Sequence, residues 1–481
     1  MESAVVGAIV DVIYWAMSST ISLVGSAVDE VAGLDLGDAR LNARTRRVVA
    51  ALERHPAASF PSAMETVAER EAVYRLLAND RVTLETLLAP HVQQTAQRAE
   101  AHGERPLVVI DKTAFVFAGE SEREGLTRLG TTRHGFDAFV ALAVSRARVP
   151  LGVLAIEPLA GNAGQAPADA WAHVVTKAHS GLGAVRAIYV MDREADAYPL
   201  FAALQDAAHD FVVRVGADRW VREHADAAPA LLRDVVARTP VRLQRTVTLT
   251  RRSGAGKPRD ARRRHPPRAE REAALAIRAC AIVMPRPQKA PRHLPVTLTL
   301  NLVHVVEAHP PAEVVPVEWL IVTTLPVEDA AAVGAVVDTY RARWMIEEYF
   351  KALKSGCAYE QRQLESRTTL LNALGLLAPL AWRLLVLRSV AADTRAPAAA
   401  VLDPDELHVL RTISRDIRLG LTPTAAEALT ALARLGGHFP HNGRPGWKIL
   451  WTGFQKLLPC VDGYRLARAE LAEQTRQRCD Q

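Results

Sequence analysis

The sequence predicts an α/β protein, in which a mixed sheet is covered by helices and helical segments precede and follow it. Beyond Pro106, β-branched runs come first and then alternate with helical patterns. The residues before Pro106 and after Thr368 show helical periodicity alone. The chain has 481 residues, of which 49% are hydrophobic. That is enough apolar material for roughly two to four structural units with buried cores.

Residues 1–29 form an apolar leader of doubtful role. Between Ala4 and Ala27 the only charged residue is Asp11, and a stretch of this length raises the question of a membrane span. The interior Asp11, and Glu2 where a signal peptide carries positive charge, argue against one. We therefore expect no membrane association and no contribution of the leader to activity, and Met17 offers an alternative start.

Residues 30–103 are predicted to be helical. Asp38 can cap a first helix that runs to about Arg54. One face of this helix carries three arginines at helical spacing: Arg40, Arg44 and Arg47. Two more helices are expected over 62–77 and 83–101, the second of them kinked or broken at Pro90. Three helices with a basic face fit a DNA-binding module, and a plain helical bundle fits them equally well.

Residues 104–400 are predicted to form the mixed sheet and its covering helices. Strands are expected over 107–110, 139–144, 150–156, 187–191, 211–215 and 317–324, and helices over 167–179 and 195–208. The part from about 216 to 316 contains short β-like runs and is interpreted as a β-rich insertion. Residues 401–481 are predicted to be a helical tail.

The net charge of +6 makes an anionic partner plausible. Residues 251–272 alone contain nine Arg and Lys against three acids, an excess equal to that of the whole chain. The run fits either a solvated loop or an arm that follows phosphates. The four cysteines are scattered without metal-ligand spacing. This spacing is typical of a protein in the reducing cytoplasm.

The most informative segment is 340–354, which sorts into two faces when it is read as a helix at about 100° per residue. Its apolar face comprises Met345, Ile346, Tyr349, Phe350 and Leu353. The opposite arc comprises Tyr340, Arg343, Glu347, Lys351 and Lys354. An acid among cations and a phenol suits a metal-binding carboxylate beside phosphates, and a charged surface face is the equally open alternative.

Two further acids follow apolar runs: Asp111 after 107–110 and Asp192 after 187–191, each at the end of a buried strand or just inside it. A carboxylate in such a position is costly unless it is paired, hydrogen-bonded or bound to a metal. Asp192 could instead cap a helix. Together with Glu347, the two aspartates make a set that could hold two divalent cations about 4 Å apart. Hard carboxylate oxygens favour Mg²⁺, with Mn²⁺ as the alternative.

Asp111, Asp192 and Glu347 resemble the acidic triad of the DDE transposases of bacterial insertion sequences. Tyr340, Arg343, Glu347 and Lys354 match the spacing of the YREK signature of the IS-four family, which has Tn-five-like members. Other segments resemble the end-binding region, the surroundings of the second aspartate and the dimerisation region: 33–41, 71–75, 192–196, 433–437 and 446–447. The resemblance covers about residues 30–465 in the family's order.

The resemblance implies an RNase H-like core interrupted by a β-rich insertion, an N-terminal domain that binds element ends, and a C-terminal dimerisation region. It implies DNA cleavage through a hairpin, strand transfer into double-stranded target DNA, and a homodimer on DNA. Tyr340, Arg343 and Lys354 are expected to contact phosphates. By position, Trp319 resembles a tryptophan that accommodates a flipped base, and Arg214 resembles a DNA-contacting arginine.

Two other functions remain open at the level of sequence. A catalytically silent DNA-binding regulator would share the same fold, although the presence of all three acids argues against it. A cellular RNase H-like nuclease is the other alternative, and the signature spacing disfavours it. Glu348 is the local rival of Glu347, and on a regular helix it would point about 100° away from the basic arc.

Overall fold

The computed structural model describes residues 26–117, 123–129, 133–159, 167–249, 267–312, 314–391, 395–414, 417–439 and 445–479. Most of the predicted leader and most of the basic run lie outside these residues. The chain divides into two compact units. The first comprises Met1–Gly164, Val174–Arg186 and Trp344–Gln481, and the second Gln165–His173 and Ala187–Arg343.

The first unit begins with helices, as predicted, although some of their bounds differ from the prediction. These helices are α1 Ala39–Arg54, α2 Phe60–Ala63, α3 Val67–Leu77 and α4 Leu84–Ala101. Asp38 caps α1 by accepting the backbone N–H groups of Arg40 and Leu41, as predicted. The predicted helix 62–77 is wrong as one element, because a capping box starts α3 at Thr66. The expected break at Pro90 is absent, because α4 continues through it.

Four antiparallel strands follow in the same unit: β1 Leu107–Phe117, β2 Thr127–Leu129, β3 Arg133–Val144 and β4 Pro150–Pro158. β3 pairs with β1 along one edge and with β2 and β4 along the other. Residues 107–110 are fully buried, which is expected of a strand covered on both faces. β1 is longer than predicted, so Asp111 lies within the strand, opposite Val140, and not at its end.

The core of the first unit is the long helix α10, Arg367–Val390. It packs closely on α4, since a Cβ on Gly375 would lie 2.9 Å from Cβ of Leu87. Asn372 donates to the carbonyl oxygens of Leu77 and Val82, both at 2.8 Å. Of the helices described, α10 is long and apolar enough to cross a membrane, but 89% of its apolar window is buried inside the protein. The burial identifies it as a core helix.

A buried polar network joins the start of the first unit to α4 and β4. Nε2 of His91 accepts the backbone N–H of Val153 at 3.0 Å, so Nδ1 carries the proton and donates to Glu30. Arg98 donates to Glu30 at 2.8 Å and to the carbonyl of Leu151 at 2.6 Å. Burial lowers the pKa of His91. Burial opposes ionisation of Glu30, yet His91 and Arg98 still lower the pKa of that carboxyl.

This network predicts loss of stability in acid. Both folded-state pKa values lie below the unfolded ones, so the unfolded chain binds more protons as the pH falls. From pH 6.5 downward, protonation of His91 in the unfolded chain should lower the free energy of unfolding by up to about 1.4 kcal/mol per pH unit. Thermal unfolding at pH 7.5 and 5.5 measures the fall. The melting temperature of the His91→Asn protein should fall less than that of the unsubstituted protein. His173 is exposed, and the control protein His173→Asn should show the same fall as the unsubstituted protein. Equal falls in all three proteins would contradict the assignment.

The second unit contains a mixed six-stranded sheet in the order β5-β6-β12-β11-β10-β9. Its strands are β5 Ile188–Met191, β6 Asp210–Val215, β9 Val241–Leu249, β10 Arg271–Pro285, β11 Thr297–Glu307 and β12 Glu318–Thr323. β5 and β6 are parallel, and the other pairs are antiparallel. The predicted insertion is therefore β-rich, but β9 to β11 extend the sheet to which β6 and β12 belong.

Helices and a small hairpin complete the elements near this sheet. They are α5 Pro167–Leu182, α6 Tyr198–Asp206, the hairpin β7 Trp220–Val221 with β8 Ala230–Leu231, α7 Leu232–Ala237 and α8 Ala330–Ala342. α5 crosses from the second unit into the first. The prediction of one helix over 195–208 is wrong at its start, because a 3₁₀ turn, Arg193–Ala195, precedes α6. α8 packs on β5 and β6.

The prediction of one regular helix over 340–354 is wrong. α8 ends at Ala342, and the N–H of Arg343 donates to Tyr340, three residues back. A new helix, α9 Trp344–Lys351, follows. It passes into a π-helical turn, Ala352–Gly356. A constant 100° step therefore does not hold from Tyr340 to Lys354, and the predicted arc is not continuous.

The C-terminal part of the first unit is helical, as predicted. Its helices are α11 Pro404–Ile413, α12 Ala425–Leu435 and α13 Trp447–Cys479. α12 and α13 meet at backbone contact, since a Cβ on Gly453 would lie 2.0 Å from the carbonyl oxygen of Leu432. Arg465 binds Asp403 at 2.6 Å and Asp405 at 3.1 Å, and so joins α13 to α11.

Candidate active site

In the first unit the structure brings together the elements that carry two of the predicted acids. Asp111 lies in β1, and Glu347 lies in the first turn of α9. α9 packs against both β1 and β3, because Ile346 and Tyr349 on its inner face are fully buried. Both carboxylate residues are partly exposed. Oδ1 of Asp111 accepts the N–H of Lys112 at 2.9 Å.

Lys354 is held against the same strand. Its Nζ donates to the carbonyl oxygen of Ala114 at 2.6 Å and lies 3.3 Å from Oε1 of Glu360. The same Oε1 accepts the N–H of Val116 at 3.1 Å. Glu360 is not among the predicted site residues, because no motif or spacing marks it. It orients Lys354 through a contact that only the fold creates.

Glu348 and Lys351 form a separate ion-pair group on α9. Nζ of Lys351 is 2.6 Å from Glu348 and 5.2 Å from the ring centre of Trp344. Glu348 also lies 3.4 Å from Arg388. The prediction that Lys351 shares an arc with Lys354 is wrong, because the π-helical turn changes the step between them. Glu348 is thus bound to Lys351 and Arg388, and its orientation about 100° away from the basic arc stays a prediction.

In the second unit four predicted residues surround the phenol of Tyr340. Trp319 meets its ring edge-on, with centroids 5.4 Å apart. Arg214 hydrogen-bonds Tyr340 and donates to the carbonyl of Glu318 at 3.1 Å. Burial raises the pKa of Tyr340, the cations of Arg343 and Arg214 oppose the rise, and Asp192 adds to it. Asp192, Arg214, Trp319 and Arg343 therefore converge on one side chain.

The fold explains this convergence. β5 and β6 run parallel, and β5 ends at Met191 opposite Val213, so Asp192 and Arg214 follow the last pair on neighbouring strands and lie at the same end of the sheet. β12 runs antiparallel to β6, which places its first residues, including Trp319, beside Arg214. α8 packs on these strands and ends with Tyr340. Asp192 also caps the following 3₁₀ turn by accepting the N–H of Glu194 at 2.9 Å, so the capping interpretation of Asp192 is confirmed as well.

The donor chemistry fits a hard divalent cation. Asp111, Asp192 and Glu347 offer carboxylate oxygens, the ligands that Mg²⁺ prefers. Two of these acids belong to the first unit and one to the second. Within the described residues, no three His, Cys, Asp or Glu side chains lie close enough together to hold a metal ion. The donor set thus supports a metal by its chemistry and not by an assembled geometry.

The three predicted arginines of α1 are available on the surface of the first unit. Arg40 and Arg47 are exposed, and Arg44 is half-buried. The opposite side of the helix is buried through Leu41, Val48 and Leu52. An apolar inner side and a basic outer side are the arrangement expected of a helix that meets an anionic partner.

Cations and aromatic rings beside carboxylates suit the phosphates and bases of a polynucleotide, so the fold and the site define a nucleic-acid-processing protein. Residues 26–82 match the family model described as transposase DNA-binding. Residues 103–382, more than half of the chain, match the transposase DDE domain, and the chain belongs to this family of DDE transposases.

Among solved structures, the chain is similar to the piggyBac transposase in a synaptic complex with hairpin DNA, determined by cryo-EM. The TM-score is 0.35 and the sequence identity 11%, and the match covers 73% of this chain. The chain spans 65% of the length of that transposase chain.

The separation of Lys354 from Lys351 gives a direct test. If Lys354 contacts a phosphate, as the resemblance implies, Lys354→Met should reduce DNA end cleavage by roughly 10- to 100-fold, because a charge-assisted contact is worth about 1.5–3 kcal/mol. Lys351→Met, which removes the same charge three residues earlier, should reduce the cleavage rate by less than about threefold, because it removes only a surface ion pair. Cleavage rates of labelled end DNA under single-turnover conditions measure both. Equal losses would mean that the two lysines share one role.

Proposed function

We propose that this protein is the transposase of a bacterial insertion sequence of the IS-four type with the YREK signature. It binds the terminal inverted repeats of its element, cleaves them with divalent metal, and joins the ends to target DNA. The observation that carries the proposal is the packing of the Glu347 helix on the Asp111 strand, inside the segment that matches the transposase DDE domain.

In this proposal Asp111, Asp192 and Glu347 act together as ligands of Mg²⁺ within an RNase H-like core. When bound, a pair of such cations supplies Lewis-acid assistance to the cleavage of a phosphodiester. The contribution of the protein is to hold each carboxylate on a rigid element. Asp111 lies within a paired strand, Glu347 lies on a helix whose inner face is buried through Ile346 and Tyr349, and Asp192 is fixed by the turn that it caps.

The DNA end is held by the cations and rings around these acids. We assign Tyr340, Arg343 and Lys354 to contacts with phosphates, and Arg214 to a contact with the DNA. Tyr340 is buried against Trp319 and bonded to Arg214, so it orients the arginine that faces the DNA. Trp319 offers an aromatic surface for a base extruded from the duplex. An extruded base is what a hairpin at the element end requires, and this supports a hairpin route.

Recognition of the end and assembly are assigned to the two helical segments. Arg40, Arg44 and Arg47 on α1 lie in the part that matches transposase DNA-binding, and we assign the terminal repeat to this face. The C-terminal helices are assigned to a homodimer on DNA. The basic run at 251–272 would add non-specific attraction to the DNA backbone.

The test uses purified full-length protein and DNA that carries the inverted repeats flanking the gene. We expect nicked, hairpin and joined products in Mg²⁺ or Mn²⁺, separated on denaturing gels, and no product in EDTA. DNA with scrambled repeats is the matched substrate control. Binding without cleavage in either metal would favour the catalytically silent regulator. Cleavage of RNA–DNA hybrids in place of repeat ends would favour the cellular nuclease.

A further inference from the structure

One carboxylate ties together the two loops that leave the parallel strands of the second unit. The ladder between β5 and β6 ends at Met191 opposite Val213, so Asp192 and Arg214 are the next residues on neighbouring strands. Asp192 is followed by a turn that no strand pairing restrains, whereas Arg214 and Val215 are still paired with β12, and the loop after β6 begins at Gly216. The position of Asp192 relative to Arg214 therefore depends on what ties this turn to β6 and to the loop that follows it.

Asp196 provides that link. Its side chain is 6% exposed, and its Oδ2 accepts the N–H groups of Gly216 at 3.0 Å and Ala217 at 3.2 Å. Its other oxygen is paired with Arg219. Asp196 lies four residues after Asp192, and Gly216 lies two residues after Arg214. The loop after β5 is thus hydrogen-bonded to the backbone of the loop after β6.

The packing of the two loops supports the same link. A Cβ on Gly216 would lie 3.5 Å from Cδ of Arg193, so the two loops are in contact at this point. Ala195, the neighbour of Asp196, is fully buried. A buried carboxylate with two backbone donors and a guanidinium is a charge-assisted arrangement, and leaving such donors unpaired is costly.

We infer that Asp196 is a positioning residue, which fixes Asp192 relative to Arg214 for the cleavage reaction. The inference rests on the proposed function, because it assigns Asp196 a role at that site. Asp196 touches neither the DNA nor the metal. It acts through the turn that Asp192 caps and through the loop that follows Arg214.

The first variant is Asp196→Asn, which keeps the size of the side chain. An amide offers one oxygen and one N–H donor group, so either the backbone N–H pair or Arg219 then faces a donor. We expect cleavage to fall by roughly 30-fold and the Mg²⁺ concentration for half-maximal rate to rise about tenfold, as when a residue that orients a metal ligand is lost. Affinity for end DNA should change by less than about threefold, since no phosphate contact is removed.

Two more proteins separate positioning from general stability. In Asp196→Asn with Arg219→Met, the amide oxygen can face the backbone donors and no guanidinium opposes the amide. We expect this pair to recover at least about tenfold in rate over Asp196→Asn alone, because their energies couple. Asp218→Asn is the control, since Asp218 lies in the same loop and contacts Arg233. It should leave the rate and the Mg²⁺ dependence unchanged.

Hydrogen exchange tests the link without any activity. In Asp196→Asn, the amides of Gly216 and Ala217 and the segment 192–197 should exchange faster than in the unsubstituted protein, and in Asp218→Asn they should not. If the unsubstituted protein cleaves no end DNA, the proposed function fails. In that case, hydrogen exchange that is unchanged in Asp196→Asn would also overturn the link between the two loops. If end DNA is cleaved, an Asp196→Asn protein with unaltered Mg²⁺ dependence overturns the inference alone.

Discussion

The Glu347→Gln protein is expected to lose cleavage of element ends by at least about 1,000-fold, since losing one metal-ligand charge removes several kcal/mol of transition-state stabilisation. The neutral amide keeps the size of the side chain, so α9 should still pack on β1 through Ile346 and Tyr349. Binding of end DNA should therefore persist. Single-turnover cleavage rates and gel-shift affinities, measured on the same preparation, separate the two effects.

Glu348→Gln is the matched control, because it makes the same change one residue later. Glu348 lies 2.6 Å from Lys351 and 3.4 Å from Arg388, so its loss removes a partly exposed ion pair. Such a pair is worth about 0–1 kcal/mol, and the cleavage rate should change by less than about fivefold. A Glu347→Gln protein that cleaves as fast as Glu348→Gln would rule out Glu347 as a member of the triad.

The second large effect is on stability: Gly453→Ala should destabilise the C-terminal helices by roughly 2–3 kcal/mol, in the range of overpacked cores. The added Cβ would lie 2.0 Å from the backbone oxygen of Leu432 in α12, and a backbone atom cannot rotate away. Gly436 makes the reciprocal contact, with its Cβ position 2.0 Å from the oxygen of Ile449. We expect earlier unfolding in urea and earlier proteolysis within α13.

Gly463→Ala is the control on the same helix. No atom lies within 4 Å of its Cβ position, so alanine should stabilise the helix by up to about 1 kcal/mol through its higher helix propensity. The same substitution is thus expected to have opposite signs ten residues apart. Destabilisation of similar size at both positions would show that the contact with α12 does not determine the effect, because backbone entropy and helix propensity both favour alanine.

Much of the fold could be predicted from local sequence. The cap at Asp38, the strands around Asp111 and Asp192 and the buried helix 367–390 all follow from apolar periodicity and from side chains that bond their own neighbouring backbone. These signals act within a few residues. They place an element correctly without reference to the rest of the chain.

The continuous helix over 340–354 was the most consequential wrong prediction. The residues there are good helix formers, and nothing in the sequence marks a break at Arg343 or a π-helical turn from Ala352. The π-helical turn coincides with a tertiary contact, since Lys354 within it reaches the carbonyl of Ala114, 240 positions earlier in the chain. A helix adapts its step where such a distant contact stabilises it.

The sequence by itself determined the residue types of the site: three acids after apolar runs or on a helix, with a phenol, cations and a tryptophan at set spacings. Only the tertiary structure decided which of them meet. Asp192, Arg214, Trp319 and Arg343 converge on Tyr340 because β5 ends opposite Val213 of β6 and β12 begins beside the last residues of β6. The partners of Lys354, Glu348 and Asp196 likewise depend on strand register and helix packing. Spacing along the chain carries no information on either, because both arise from contacts between residues far apart in sequence.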